Sequence, residues 1–86
     1  MSRKAKLIQK LKNEPKGFTW DDATTLMRMC GFKLLNARGG GSGRMFRHEV
    51  TAQKVKLHEP HPRNILLPYM VNVLIDALRD AGEISA

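Results

Sequence analysis

Leu7, Ile8 and Leu11 recur at helical spacing near the start of the chain, with lysines between and around them. That pattern predicts a short amphipathic helix over residues 3–13, capped by Ser2 and stopped by Pro15. A second helix is predicted over 20–30. Ala23, Leu26, Met27 and Cys30 form its apolar stripe, and Thr19 with Asp22 three residues later approaches a capping box. Asp21 and Asp22 suit the positive end of its dipole, and Gly31 stands where a left-handed C-terminal cap belongs. Phe18 is expected to staple across the helix start and leave Trp20 partly exposed. The period then shortens to two. Phe32, Lys33 and Leu34 open a strand over 32–38, a glycine-rich loop follows, and 44–49 and 54–59 read as two further strands joined by a turn at Val50–Gln53. A final helix is predicted over 68–81, with Pro68 in its first turn, Val71, Leu74, Ile75 and Leu78 as its stripe, and Gly82 as its cap.

The order is therefore α-α-β-β-β-α. Consecutive strands joined by short turns give an α+β fold, with a small three-stranded antiparallel sheet, helices on one face and the other face wet. Val55 and Leu57 point one way, so Lys54, Lys56 and His58 point the other, onto the wet face. In the second strand Phe46 shares parity with Arg44 and His48, and Met45 with Arg47. Parity alone leaves open which set is buried. Residues 1–16 read as a basic helical extension and 17–86 as the domain proper.

Length and charge sharpen this picture. A chain of 86 residues is one small domain. Its net charge of +7 favours a polyanionic partner, nucleic acid or an acidic protein surface. Lys and Arg crowd residues 1–16 and 33–63, whereas 64–86 hold Arg79 against Asp76, Asp80 and Glu83. Cys30 is the only cysteine, which excludes an intrachain disulfide, offers no metal-ligand spacing and fits a reducing compartment. It is read as a core residue and not as a nucleophile. No apolar run reaches the roughly 20 residues of a membrane span, and the N-terminus lacks the apolar segment of a signal peptide. A cytoplasmic protein without membrane or small-molecule partners is expected.

The chemistry gathers in Gly39-Gly40-Gly41-Ser42-Gly43-Arg44-Met45-Phe46-Arg47-His48. A glycine-rich turn exposes backbone N–H groups, and fixed positive charge beside it suits phosphate. With the basic third strand, the candidate phosphate contacts are Gly41, Ser42, Gly43, Arg44, Arg47, Lys54 and Lys56. His48 is the first choice for proton transfer and His58 the second, with Arg44 as the charge holder. His61 lies between two prolines and belongs to a turn. A His58–His61 pair lacks further metal ligands, so no metal or other cofactor is expected. Ser42 lacks the base-and-orienter pattern of a covalent nucleophile. A DNA-binding protein ranks last, because no helix-turn-helix pair is visible and the last helix is acidic.

Leu26–Phe32, Gly41-Ser42, Phe46-Arg47-His48, Lys54–Leu57, His58-Glu59-Pro60-His61-Pro62 and Pro68 through Gly82 follow one another in an order that resembles the HicA (YcfA-like) family over residues 18–83. Its members are mRNA interferase toxins of bacterial HicA–HicB toxin–antitoxin pairs. The resemblance implies an α-β-β-β-α fold related to double-stranded RNA-binding domains. It also implies ribosome-independent endoribonuclease cleavage of mRNA, and a HicB-type antitoxin protein that covers the active face. One position departs. In most members Gly-Ser is followed by the catalytic histidine, whereas here Gly41-Ser42 runs into Gly43-Arg44. That histidine has no counterpart. Metal-free RNA cleavage needs a base for the 2′-hydroxyl, an acid for the leaving oxygen and donors for the phosphorane charge. Under the resemblance these would fall to His48 or His58 and to Arg44, with the RNA contacts at Gly41, Ser42, Gly43, Arg44, Arg47, Lys54 and Lys56. A non-catalytic RNA-binding module of the same fold is the competing reading.

Overall fold

The computed structural model describes residues 2–13, 15–36, 43–60 and 63–84. Its elements are α1 (Arg3–Asn13), a 3-10 turn at Pro15–Gly17, α2 (Trp20–Met29), β1 (Phe32–Asn36), β2 (Gly43–His48), β3 (Lys54–His58) and α3 (Pro68–Asp80). The strands form one antiparallel sheet in the order β1-β2-β3. The expected class, a small α+β domain with a three-stranded antiparallel sheet and helices on one face, is the observed one. Residues 37 and 38, expected to extend β1, lie outside the described residues, as do Gly39 to Ser42, His61 and Pro62. Among the described residues no helix is long and apolar enough to cross a membrane.

The helix boundaries follow from local chemistry. Ser2 Oγ accepts the Ala5 N–H at 3.2 Å and starts α1. Thr19 Oγ1 accepts the Asp22 N–H at 3.0 Å and starts α2. Gly31 ends α2 with φ +91° and Gly82 follows α3 with φ +79°, a backbone region that glycine enters without a Cβ penalty. Pro68 takes the first turn of α3, where a missing N–H breaks no helical bond.

One core lies between the sheet and the helices. α2 packs on β1 and α3 on β3. The largest fully buried side chains are Phe18, Phe46, Leu11, Leu26, Met27, Leu74 and Leu78. Two expectations fail here. α1 was expected to be an extension outside the domain, yet Leu11 is fully buried, Leu7 and Ile8 pack against the core, and the helix rests on α2 and α3. Lys4 pairs with Glu83 at 2.6 Å and Lys10 with Asp22 at 2.9 Å, so two of the α1 cations are committed to acids of the domain. Trp20 was expected to be partly exposed; it is buried at 5 %. The reason is a long-range pairing. The Trp20 N–H donates to the Asn64 carbonyl and the Leu66 N–H to the Phe18 carbonyl, both at 2.9 Å, which draws the start of α2 under the segment before α3. The indole then stacks at a tilt on Phe46, with centroids 5.7 Å apart.

Candidate nucleic-acid interface

Register decides which side chains share the uncovered face of the sheet. Phe46 lies opposite Leu34 on β1 and Val55 on β3, and Phe46 and Val55 are buried. Residues of that parity, Arg44 and His48 included, project toward the helices. The other parity faces away in three cross-strand rows. Lys33, Arg47 and Lys54 form the first row, Leu35, Met45 and Lys56 the second, and Gly43 and His58 end the third. Lys33, Arg47, Lys54, Lys56 and His58 are all exposed. Among the described residues, none of these four cations has an acidic partner within 4.0 Å, and this face holds no acidic strand position.

The first row is physically unusual. Directly opposed side chains on neighbouring strands sit close enough to interact, and like charges there destabilise a sheet. Arg47 has a lysine opposite it on each side. Three cations in line, with the exposed Leu35 and the half-buried Met45 in the next row, make a strongly positive surface of the kind that attracts polyanions.

The structure separates the candidate residues. Arg47, Lys54, Lys56, His58 and Gly43 share the open face. Gly43 presents no side chain directly opposite His58, which leaves room beside the imidazole. Arg44 is on the helix side, where its guanidinium donates to the Gly43 carbonyl at 2.9 Å and pairs with Glu59 at 3.4 Å. His48 is also on the helix side. Its Nδ1 accepts the N–H groups of Val50 and Thr51 at 3.1 and 3.2 Å, and its ring meets Phe32 edge-on at 5.0 Å between centroids. Two donors on Nδ1 leave the ring hydrogen on Nε2, and Nε2 lies so close to Gly31 that a Cβ there would sit 2.9 Å from it. His48 therefore caps the β2–β3 turn and packs beneath the end of α2. The expected trio of His48, His58 and Arg44 is corrected to one open-face histidine, His58, with His48 and Arg44 on the opposite face. Gly41 and Ser42 lie outside the described residues.

Lys33 is the residue that sequence reasoning missed. Its alternation with Phe32 and Leu34 was visible, but its alignment with Arg47 depends on the β1–β2 register, which the loop sequence does not specify. Cys30 is a core residue, 7 % exposed. Burial, together with the nearby Glu83 carboxylate, pushes its thiol up to about 11, so it is no thiolate nucleophile at neutral pH. Among the described residues no cluster of three or more His, Cys, Asp or Glu side chains is placed to hold a metal. Compared with known families, curated proteins and solved structures, the chain matches no family model, no curated protein and no solved structure.

Proposed function

We propose that this protein binds RNA on the open face of its sheet. The observation that carries this reading is the aligned row Lys33, Arg47 and Lys54, an arrangement that works against the stability of the sheet and suits a run of phosphates. The exposed Leu35 and the half-buried Met45 in the adjoining row give bases or sugars an apolar surface to rest on.

The exposed His58 favours a second step, cleavage of the bound strand. In this step the imidazole takes the 2′-hydroxyl proton and the freed oxygen attacks the adjacent phosphorus. The 5′-oxygen leaves and takes a proton from a general acid or from water. Lys56, in the adjoining row, offsets the charge that builds on the phosphorane, and Arg47 holds a phosphate further along the strand. The α-β-β-β-α order with one open sheet face agrees with the HicA resemblance and with its implied kinship to double-stranded RNA-binding folds. Under that reading the chain is the mRNA-cleaving toxin of a cytoplasmic toxin–antitoxin pair, restrained by a HicB-type antitoxin protein.

The test is a gel assay on a structured RNA with wild type, His58→Ala and His48→Ala, alongside binding measured across a salt series. His58→Ala is expected to bind RNA and not cut it. His48→Ala is expected to lose thermal stability and to retain cleavage wherever it is folded. RNA binding without cleavage by the wild type reduces the reading to a binding module. Indifference of binding to salt rejects the open face as the contact surface.

A further inference from the structure

The two edges of the sheet are built differently. The Glu49 N–H donates to the Gly31 carbonyl at 3.1 Å, which fixes the phase of the β1–β2 ladder. Lys33 and Leu35 then bond to β2, and Phe32, Leu34 and Asn36 turn their backbone N–H and C=O groups outward. On the far side, the His48 N–H donates to Gln53 at 2.8 Å, so Lys54, Lys56 and His58 face outward along β3. The β3 edge thus carries lysines, which discourage pairing with another strand. The β1 edge carries Lys33 alone among Phe32, Leu34, Leu35 and Asn36. Leu34 and Leu35, on opposite faces of this edge, are 39 % and 38 % exposed. Among the described residues no strand pairs with it. Beside it, on the helix side, lies a cleft of about 360 Å³ whose lining includes Thr24, Arg28, Phe32 and Leu34.

We infer that the β1 edge is the docking site for an extended acidic segment of a partner protein, which adds to the sheet as a fourth strand. The outward N–H and C=O groups of Phe32, Leu34 and Asn36 supply the ladder. Alternate apolar side chains of the segment fill the cleft over Leu34, and the acidic side chains between them lie on the open face, where Lys33 stands in register with Arg47. Glu49, at the Gly31 end of the cleft, is the one acid in the lining and restricts that end to neutral or basic residues. A second copy of this chain is the poorer occupant, because it would bring a +7 molecule against another and set their lysine rows side by side. This inference is independent of the RNA reading and is tested without RNA.

The probe is a synthetic seven-residue peptide of alternating valine and glutamate, added to the full-length protein while amide exchange is read residue by residue. Exchange at Phe32 and Leu34 is expected to slow by about tenfold or more, with Lys33, Leu35 and the β3 edge unchanged. A valine–lysine peptide is expected to bind at least about tenfold more weakly. Leu34→Pro is expected to abolish binding with the ladder to β2 intact, because the lost N–H is an outward one. N-methylation of the peptide at alternate amides makes the same test on unaltered protein. No binding up to about 1 mM peptide overturns the inference, that being weak even for a single added strand. So does protection on the β3 edge, equal binding of the basic peptide, or a concentration-dependent dimer that Leu34→Pro dissolves.

Discussion

Replacing Arg47 with glutamine should make the protein more stable and its RNA complex weaker. Arg47 lies between Lys33 and Lys54 in register, so the substitution removes two like-charge pairs at once. Opposed side chains on adjacent strands begin about 5 Å apart at Cβ. At that separation two unit charges in water repel by about 0.8 kcal/mol. A screening length of about 8 Å at physiological salt halves this to about 0.4 kcal/mol. Two pairs then give about 0.8 kcal/mol, an upper figure because long side chains splay apart. For a domain of this size the melting temperature should rise by about 3–6 °C. At 1 M salt the screening length falls to about 3 Å and the gain should shrink to about 0.3 kcal/mol. Thermal melts of wild type and Arg47→Gln at the two salt concentrations check the first half. The slope of log affinity for single-stranded RNA against log salt checks the second, and it should fall by about 0.7 for one lost phosphate contact. A variant less stable than wild type at low salt, or a gain indifferent to salt, refutes the account of the lysine–arginine row. A gain in stability with unchanged RNA affinity keeps the repulsion and removes its functional meaning.

Gly31→Ala should destabilise the protein by at least about 1 kcal/mol, since alanine is strained at φ +91° and its Cβ meets His48 Nε2. Chemical denaturation in the His48→Ala background should show a smaller loss, because the steric part is relieved and the backbone part remains. Cys30 should resist a thiol reagent at pH 8 in the folded protein and react fully in denaturant. Its raised folded pKa means that its contribution to stability is lost as the pH rises from 9 toward 11, and Cys30→Ala should flatten that part of the pH–stability curve. Burial pushes the Asp22 carboxyl up, but Lys10 and the Thr19 cap outweigh this and hold it below the usual carboxylate range. Asp22→Asn should therefore lower stability by about 0.5 kcal/mol above pH 4, given the partial exposure of the pair, with the difference from wild type vanishing as the pH falls below that.

The helices were legible because their ends are local events. Ser2, Thr19, Gly31, Pro68 and Gly82 each act within a turn of their own position, and the stripes of α2 and α3 need no distant partner to be recognised. The strands were legible as elements and less so as a surface. β3 alternates cleanly, so its exposed face was readable from Lys54, Lys56 and His58. β2 mixes charge and apolar character on both parities, Arg44 and His48 with Phe46, Arg47 with Met45. Only its pairing with Leu34 and Val55 shows which set is covered. The burial of Trp20 and the anchoring of α1 by Leu11 depend on contacts with residues 64–66 and with α3, and no local pattern encodes them. His48 was drawn toward catalysis by its neighbours in sequence, while its actual partners, Gly31, Val50 and Thr51, belong to a helix cap and a turn.

The way α1 is fastened gives the fold a weak seam. Lys4 and Glu83 stand 79 positions apart in the chain, so their contact closes a long loop for the return of one partly buried ion pair. Lys10–Asp22 is likewise only partly buried, and Leu11, with Leu7 and Ile8 packed beside it, is the principal anchor. α1 is thus expected to lift away first, as a unit, while the sheet and the other two helices stay assembled. Arg3, Lys6 and Lys12 are exposed along it and become cleavable backbone when it does. The lifetime of this protein before a trypsin-like protease should then follow how often α1 detaches more than the stability of the whole domain, which limited digestion beside a global melt checks.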